Sequence, residues 1–426
     1  MKVRTLLGGG LVALTLAGVA VAETDLQAFR RLRGEGVAAV NAGDFRAADA
    51  RLAEADAKVR NHPGLVLLRA RVKAAAGDYA GALEQLDRYA RMGLSADLDG
   101  DEALEGIAAE TGYPATARRL AANARPVGRL EQEGRLQGPY LAESVAWDAR
   151  AKRLLISGVH ARTVVQIRGG ALSRFLEADA TVGGVLGMAA DPDGRTLWAA
   201  SAYPPPVKDR TAGDAARSAL LRIDLKSGRV LRRFDAPAGQ AARTFGDLAV
   251  GADGTVYVSD SAAGEVLRLR PGAEALEVLV PSGILGSPQG MVATPDGRRL
   301  VVADYASGLH LIDLTSGAVT VLPQPEDATL LGIDGLVRDG DALIAFQNGV
   351  TPHRVLRLQL DPAFSAVTGW SVLAAATPDL EEPTGGVVVG RDLVFVARSQ
   401  WSDFKEDGTL RRDPPGDAVI ARLKLP

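Results

Sequence analysis

Residues 287–304, SPQGMVATPDGRRLVVAD, combine two short apolar runs with a Pro-Asp-Gly turn between them. The runs are rich in Val, Ala and Leu, and the turn places a Gly where the chain reverses, so the stretch predicts a β-hairpin. Related stretches occur at residues 141–158 (LAESVAWDARAKRLLISG) and 333–349 (IDGLVRDGDALIAFQNG). The unit that decides the fold is therefore a repeated pair of strands.

The opening of the first strand returns six times, with starts 43 to 60 residues apart. The copies are ESVAW from Glu143, LGMAA from Leu186, GDLAV from Gly246, QGMVA from Gln289, DGLVR from Asp334 and TGGVV from Thr384. Further strand-like runs follow, so that each unit has three or four strands. This period predicts a mainly β fold, a six-bladed β-propeller over residues 126–426. The first residue of each copy is expected to face the central axis.

The two ends of the propeller are expected to meet in one blade. The last unit stops at Pro426 without an outermost strand, and residues 127–132, VGRLEQ, are expected to supply it and so hide a sheet edge. The longest interval between copies contains residues 203–219, YPPPVKDRTAGDAARSA. This segment is too polar and Pro-rich for a strand and predicts a surface loop, either a lid or a plain insertion.

Residues 23–125 are rich in Ala, Leu, Arg and Glu and have apolar residues at helical spacing. The turns Gly43-Asp44-Phe45 and Gly77-Asp78-Tyr79 match at a separation of 34 residues. Small and apolar residues match at the same offset, namely Ala48 with Ala82 and Leu52 with Leu86. This part resembles the tetratricopeptide repeat, a pair of helices of that period. Its function is either a groove for a partner protein or a helical brace for the propeller.

The first 22 residues differ in character from the rest of the chain. Lys2 and Arg4 precede an apolar run that ends in Ala20-Val21-Ala22, which predicts a secretory signal peptide cut after Ala22. We therefore expect a periplasmic or secreted protein with no membrane attachment after cleavage. The chain contains no Cys, which excludes disulfides and Cys–metal sites. A net charge of −3 over 426 residues argues against nucleic acid as a partner.

The hairpin stretches quoted above resemble the gluconolactonase and regucalcin (senescence marker protein) group of six-bladed propellers. The resemblance implies a divalent metal at the mouth of the central channel, usually calcium or zinc. It implies ligands from a Glu of the first blade, an Asn from each of the third and fourth blades, and an Asp of the fifth blade. The same Asp is implied to activate water for lactone hydrolysis.

At the positions of these ligands the chain keeps the two carboxylates and changes the two amides. Glu143 and Asp334 stand at the acidic positions, Gln289 stands at one Asn position, and Gly246 stands at the other with Asp247 beside it. The resemblance thus implies Glu143, Gln289 and Asp334 as metal ligands and Asp334 also as the catalytic base. Calcium is favoured, because a hard cation accepts carboxylate, amide and water oxygens together. Asp247 is expected to contact the substrate.

Polar residues at the strand ends of the last two blades are further candidates for substrate binding: Gln347, Asn348, Arg398 and Trp401. The expected function is an exported, metal-dependent hydrolase of the lactonase type that acts on a sugar lactone or small ester. The alternative is a non-catalytic periplasmic binding or scaffold protein that uses the helices and the propeller to hold partners. The Gly at one ligand position favours the alternative, and the two retained carboxylates favour the enzyme.

Overall fold

The structure is a computed structural model that describes residues 23–176, 179, 181–191 and 193–426. The expected signal peptide, residues 1–22, lies outside the described residues. Within the described residues, no helix is both long enough and apolar enough to cross a membrane. The chain forms a helical N-terminal part followed by a propeller of antiparallel sheets.

Five α-helices form the N-terminal part of the described chain. They are α1 (Asp25–Asn41), α2 (Phe45–Lys58), α3 (Pro63–Ala75), α4 (Tyr79–Arg91) and α5 (Tyr113–Asn123), with a 3-10 helix (Glu102–Ala109) before the last of them. Helices α1 and α2 pack on each other, as do α3 and α4. The helices therefore pair into two successive hairpins.

The 34-residue recurrence has a physical cause at the two turns. Gly43 and Gly77 adopt φ angles of +76° and +81°, the left-handed conformation that commonly ends a helix. Asp44 and Asp78 then cap the next helix, because their carboxylates accept backbone N–H groups of its first turn. The matching small and apolar residues are fully buried: Ala48, Leu52, Ala82 and Leu86. The assignment of these hairpins to the tetratricopeptide family remains a prediction.

Twenty-four strands of the described chain form six four-stranded sheets, which are the blades. The strand β1 (Glu131–Leu136) precedes blade 1, which comprises β2 (Ala142–Asp148), β3 (Arg153–Gly158), β4 (Thr163–Arg168) and β5 (Ala171–Leu176). Blade 2 comprises β6 (Gly184–Ala190), β7 (Thr196–Ala202), β8 (Ala219–Asp224) and β9 (Val230–Asp235). Blade 3 comprises β10 (Phe245–Val250), β11 (Val256–Asp260), β12 (Glu265–Leu269) and β13 (Glu277–Val280).

The remaining blades follow the same pattern. Blade 4 comprises β14 (Pro288–Ala293), β15 (Arg299–Asp304), β16 (Gly308–Asp313) and β17 (Val319–Val321). Blade 5 comprises β18 (Ile333–Asp339), β19 (Ala342–Gln347), β20 (Arg354–Leu360) and β21 (Val367–Ala375). Blade 6 comprises β22 (Gly386–Val389), β23 (Asp392–Arg398) and β24 (Ala418–Lys424) together with β1. The first strand of each blade contacts the first strands of its neighbours, so these strands surround the axis.

The ring closes with one strand from the N-terminal side of the propeller. Strand β1 pairs antiparallel with β24 and forms the outer edge of blade 6. The prediction that the segment before the first unit completes the last blade is confirmed. The strand lies at 131–136 instead of 127–132, because Val127 exchanges both of its backbone hydrogen bonds with Ala375 on the outer strand of blade 5.

The Pro-rich segment predicted as a loop connects β7 to β8 and contains a short 3-10 turn, Ala212–Asp214. The segment packs against the propeller, since Tyr203 and Val207 are buried in one hydrophobic cluster with Phe404 of blade 6. The segment therefore packs along the face of the propeller on which the second strands of blades 2 and 6 end.

The helical part contacts loops at one end of blades 4 and 5. The Asn61 side-chain nitrogen donates to the backbone oxygens of Glu326 and Ala328, at 2.8 and 2.6 Å. The backbone nitrogen of Ser95 donates to the Thr351 oxygen at 2.9 Å. These loops precede β18 and follow β19, so the helices lie on the face where β18 begins. That face also carries the expected metal ligands.

A buried arginine holds this contact together. Arg354 in β20 is 1% exposed, and its Nη1 donates to the Met92 and Gly93 oxygens after α4, at 2.8 and 3.1 Å. Its Nε donates to Gln347 Oε1 at 2.6 Å, and its guanidinium lies 5.4 Å from the centre of the Trp370 ring. Burial lowers the pKa of Arg354 to about 9. The carbonyls at the end of α4 supply the negative charge density that this cation needs.

We expect Arg354→Met to destabilise the protein, because buried carbonyl acceptors and Gln347 Oε1 would lose their donor. The free energy of unfolding should fall by about 2–4 kcal/mol, measured by urea unfolding followed by circular dichroism. The matched control is Arg168→Met, which removes an exposed guanidinium. A loss no larger than that of the control would contradict the role given to Arg354.

Candidate functional site

A cavity of about 600 Å³ follows the axis of the propeller, and its walls come from the first strand of every blade. One end of this cavity carries the polar side chains and glycines of the repeated motif. They are Glu143, Gly187, Gly246, Asp247, Gln289, Asp334 and Thr384. The prediction that the motif openings converge on one axis therefore holds in five of the six blades.

Blade 2 departs from the prediction because an apolar residue stands at its motif opening, although its first strand has the same β-bulge as its neighbours. The pairing register of the first strand shifts at the motif opening in blades 1 to 5, which changes the direction of consecutive side chains. Leu186 is 3% exposed and belongs to the same buried cluster as Phe245 and Leu248, whereas Gly187 lines the cavity. The expectation that Leu186 faces the axis is wrong, since its apolar side chain is buried between blades.

Glu143, in β2, is held by a tryptophan from blade 6. The indole nitrogen of Trp401 donates to Glu143 Oε2 at 2.7 Å. Thr384 Oγ1 donates to the backbone oxygen of Glu143 at 2.5 Å, which ties blade 6 to blade 1 at the motif. Burial raises the pKa of Glu143 well above its usual range, and the charge of Asp334 adds to this rise. The hydrogen bond from Trp401 acts in the opposite direction.

Asp334, in β18, is held by the strand end of its own blade. Asn348 Nδ2 donates to Asp334 Oδ2 at 2.7 Å and to the Pro383 oxygen at 3.2 Å, and Asn348 Oδ1 accepts from the Tyr305 hydroxyl at 3.1 Å. Burial raises the pKa of Asp334 to about 6, the Asn348 hydrogen bond opposes the rise, and the charge of Glu382 adds to it. One oxygen of Asp334 is thus fixed, while the carboxylate as a whole faces the cavity.

Asp247, in β10, is the third carboxylate of the cavity wall. Its Oδ1 accepts the backbone N–H of Leu248 at 2.8 Å. Burial raises the pKa of Asp247 to about 7, the Leu248 hydrogen bond opposes the rise, and the charge of Asp334 adds to it. Because the three carboxyl pKa values rise together, the cavity disfavours full ionisation of the cluster without a compensating cation or proton.

Gln289 and Gly246 form a complementary pair across two blades. Gln289 Nε2 donates to Ser287 Oγ at 3.1 Å, which directs the amide oxygen the other way. A Cβ atom at residue 246 would lie 3.2 Å from Gln289 Oε1. The longer side chain at 289 therefore brings its carbonyl oxygen next to the space that a side chain at 246 would occupy.

The predicted substrate-binding residues divide into two groups. Asn348 and Trp401 contact the cavity carboxylates directly. Gln347 is fully buried and binds the backbone oxygens of its neighbouring loop through Nε2. Arg398 pairs with acidic side chains of its own blade. The side chains of Gln347 and Arg398 hold loops, and none of the four residues lines the cavity itself. Their role in substrate binding remains a prediction.

Sequence reasoning missed two residues near the cluster. In the sequence, Tyr305 is only the second residue of an Asp-Tyr pair at a strand end. In the structure its hydroxyl donates a hydrogen bond to Asn348 Oδ1. Glu382 lies in the loop before the last motif copy, and its charge raises the pKa values of both Glu143 and Asp334. The acidic pair Glu381-Glu382 immediately before the motif was the available sign of extra negative charge.

The donor set of the axial cavity consists of carboxylate and amide oxygen atoms. Among the described residues, no group of three or more His, Asp or Glu side chains has the arrangement of a metal site. Within the same part of the chain, no Lys or Arg forms an ion pair with Glu143, Asp247 or Asp334. Three oxygen atoms remain free to bind a cation together with water molecules. They are one carboxylate oxygen each of Glu143 and Asp334 and the amide oxygen of Gln289. Calcium accepts such a mixed oxygen set.

No protein family and no curated protein matches the chain. Similar solved structures include a gluconolactonase from Xanthomonas campestris, with 18% identity over 72% of this chain and 93% of that chain, at a TM-score of 0.49. They include the calcium-binding protein regucalcin from Agrobacterium tumefaciens. It shares 13% identity over 71% of this chain and 96% of its own chain, at a TM-score of 0.49. They also include the PQQ-bound form of an aldose sugar dehydrogenase from Streptomyces coelicolor. It shares 16% identity over 70% of this chain and 98% of its own chain, at a TM-score of 0.47. The propeller itself is established by the strand pairing of this chain.

We expect Asp247→Asn to stabilise the metal-free protein at high pH only. The pKa of Asp247 rises from 3.8 to about 7 on folding, so the folded state binds more protons than the unfolded state between these values. Wild-type stability therefore falls as the pH rises through this window. Asn keeps an oxygen for the Leu248 N–H and carries no charge. Its melting temperature should exceed that of the wild type at about pH 8 and match it near pH 4.

Scanning calorimetry in the presence of a chelator measures this difference. Asp99→Asn, at an exposed position in the helical part, is the matched control. Equal stabilisation by Asp247→Asn at both pH values would contradict a carboxyl pKa raised by burial.

Proposed function

We propose that the protein is a metal-dependent hydrolase of the lactonase type that acts on a sugar lactone or a small ester. The observation that carries the proposal is the convergence of Glu143, Asp334 and the Gln289 amide oxygen on one cavity, beside Asp247. Burial and mutual repulsion raise the carboxyl pKa values, and a divalent cation such as calcium relieves that repulsion. Glu143, Gln289 and Asp334 would hold this ion.

Each side chain of the cluster has a role in the proposed hydrolysis. When bound, the cation supplies a Lewis acid that polarises the substrate carbonyl. Asp334, whose pKa is about 6, is mostly ionised at neutral pH and accepts a proton from the water that attacks the carbonyl carbon. Asn348 holds one oxygen of Asp334 and so orients the other toward this water. Trp401 orients Glu143 in the same manner.

Asp247 is placed to assist the second half of the reaction. As the carbon–oxygen bond of the lactone breaks, the departing alkoxide needs a proton. Asp247, whose pKa burial raises to about 7, is placed to donate it.

The size and place of the cavity support a small-molecule substrate. A volume of about 600 Å³ is in the range of small-ligand pockets, and a sugar lactone fits it with water to spare. The expected signal peptide would place the reaction in the periplasm or outside the cell. There a lactone or ester would reach the axial cavity by diffusion.

A second candidate function is a non-catalytic binding or scaffold protein. The specific observation in its favour is Gly246, which contributes no side chain at a position where the resembled family has a metal ligand. In that case the cluster would hold a structural ion, and the helical hairpins would offer their free faces to a protein partner. The two candidates differ in whether removal of Asp334 changes a reaction rate.

We expect Asp334→Asn to reduce the rate of lactone hydrolysis by about 10²–10⁴-fold, because the general base is lost while the amide keeps the contact with Asn348. The measurement is hydrolysis of glucono-1,5-lactone and simple aryl esters in a calcium buffer, followed by acid release.

The matched control is Asp339→Asn at the other end of β18, which should leave the rate unchanged. A wild-type protein inactive on the whole panel, or an Asp334→Asn variant as active as the wild type, would contradict the hydrolase and favour the scaffold.

A further inference from the structure

A second cavity of about 570 Å³ lies between the helical part and blade 4, away from the propeller axis. One wall is formed by the start of α1 and by the end of α2 with the turn that follows it. The other wall is formed by β16, β17 and residues 322–326. The cavity thus belongs to the junction of two structural parts, which is a common place for small-molecule sites.

The walls of this junction cavity are mostly apolar. They include Leu26, Val59, Leu309, Val321, Leu322 and Leu331. Val321 is 62% exposed and Ile284, at the same rim, is 38% exposed. These side chains leave apolar surface in contact with water, which a ligand of matching character would cover.

The charges around the junction cavity cancel. Asp25 and Glu326 carry negative charge, whereas Lys58 and Arg60 carry positive charge. Lys58 and Asp25 are paired at 3.0 Å. The rim therefore offers no net charge to attract an anion or a cation, and an uncharged ligand is favoured.

One buried imidazole gives the junction cavity a specific polar group. His310 in β16 is 8% exposed, and its Nε2 lies 2.8 Å from Ser307 Oγ, which is 2.6 Å from Asp304 Oδ2. Asp304 also accepts hydrogen bonds from the backbone N–H groups of Gly286 and Ser287, so it is an acceptor and the Ser307 hydroxyl donates its hydrogen bond to it. Ser307 has no second proton to give. His310 Nε2 must therefore be protonated and donate a hydrogen bond to Ser307 Oγ.

This order of hydrogen bonds leaves His310 Nδ1 with a free lone pair. Burial lowers the pKa of His310, with the charge of Asp304 acting in the opposite direction, which keeps the ring neutral at pH 7. Within the described residues, Nδ1 makes no hydrogen bond, and the ring borders the cavity. Because Ser307 lies between Asp304 and His310, the three residues do not form a nucleophile triad. The acceptor instead remains open to a hydrogen-bond donor from a ligand or from water.

We propose that the junction cavity binds an uncharged, mostly apolar small molecule whose hydroxyl group donates a hydrogen bond to His310 Nδ1. The apolar body of the ligand contacts both the helices and blade 4, and its hydroxyl fixes its orientation. This site is independent of the axial carboxylates and of the hydrolase activity.

Two probes of similar shape test the proposal by calorimetric titration of the full protein. 2-Naphthol carries the hydroxyl donor, and 2-methoxynaphthalene has the same rings without it. We expect 2-naphthol to bind with one-to-one stoichiometry and 2-methoxynaphthalene to bind about five- to tenfold more weakly, the effect of one lost hydrogen bond.

Variants at His310 separate the acceptor from the fold. His310→Gln places an amide near Nε2, so it keeps the bond to Ser307 and removes the acceptor at Nδ1. This variant should bind 2-naphthol about five- to tenfold more weakly and bind 2-methoxynaphthalene as the wild type does. His310→Asn places its amide near Nδ1 and should restore the preference for 2-naphthol.

Further variants locate the bound probe. Val321→Trp fills the rim of the junction cavity at an exposed position and should abolish binding of both probes, with an unchanged melting temperature as the control for folding. Glu143→Gln in the axial cavity should change neither affinity. The proposal is overturned if neither probe binds at millimolar concentration, if both bind equally well, or if Glu143→Gln abolishes binding and Val321→Trp does not.

Discussion

The repulsion among carboxylates at the channel mouth is the constraint on which the functional account depends. A propeller brings the first strands of its blades to one axis, so motif residues distant in sequence become neighbours. Here that convergence places Glu143, Asp247 and Asp334 around one cavity, and burial raises the pKa of each carboxyl group. Hydrogen bonds from Trp401 and Asn348 offset part of this cost. A bound cation would offset the remainder.

The helical part and the axial site share structural elements. Arg354 joins the end of α4 to Gln347, and Gln347 holds the backbone of the loop that leads into Asp334. The residue after Gln347 is Asn348, which holds Asp334 itself. The brace anticipated as one role of the helices thus contacts the strand ends that position the proposed base.

The sequence was sufficient for the blade count, the closing strand and the helical hairpins, because each depends on a local pattern repeated at a fixed period. It was also sufficient to place Glu143 and Asp334 on the axis. It did not give the direction of Leu186, whose apolar side chain is buried in a cluster with Phe245 and Leu248 although its strand has the same β-bulge as blades whose motif residues face the cavity. Gln347 and Arg398 occupy strand ends like those of Asn348 and Trp401, and only the three-dimensional path of the loops separates the two pairs.

The most direct test of the account is calorimetric titration of calcium into the metal-free protein near pH 6.5, in two buffers of different ionisation enthalpy. The account predicts one binding site and release of protons to the buffer, because carboxyl groups with raised pKa values must ionise to become ligands. It also predicts that Glu143→Gln abolishes the binding. An absence of binding at millimolar calcium, or binding without proton release, would contradict a cation site built from these buried carboxylates.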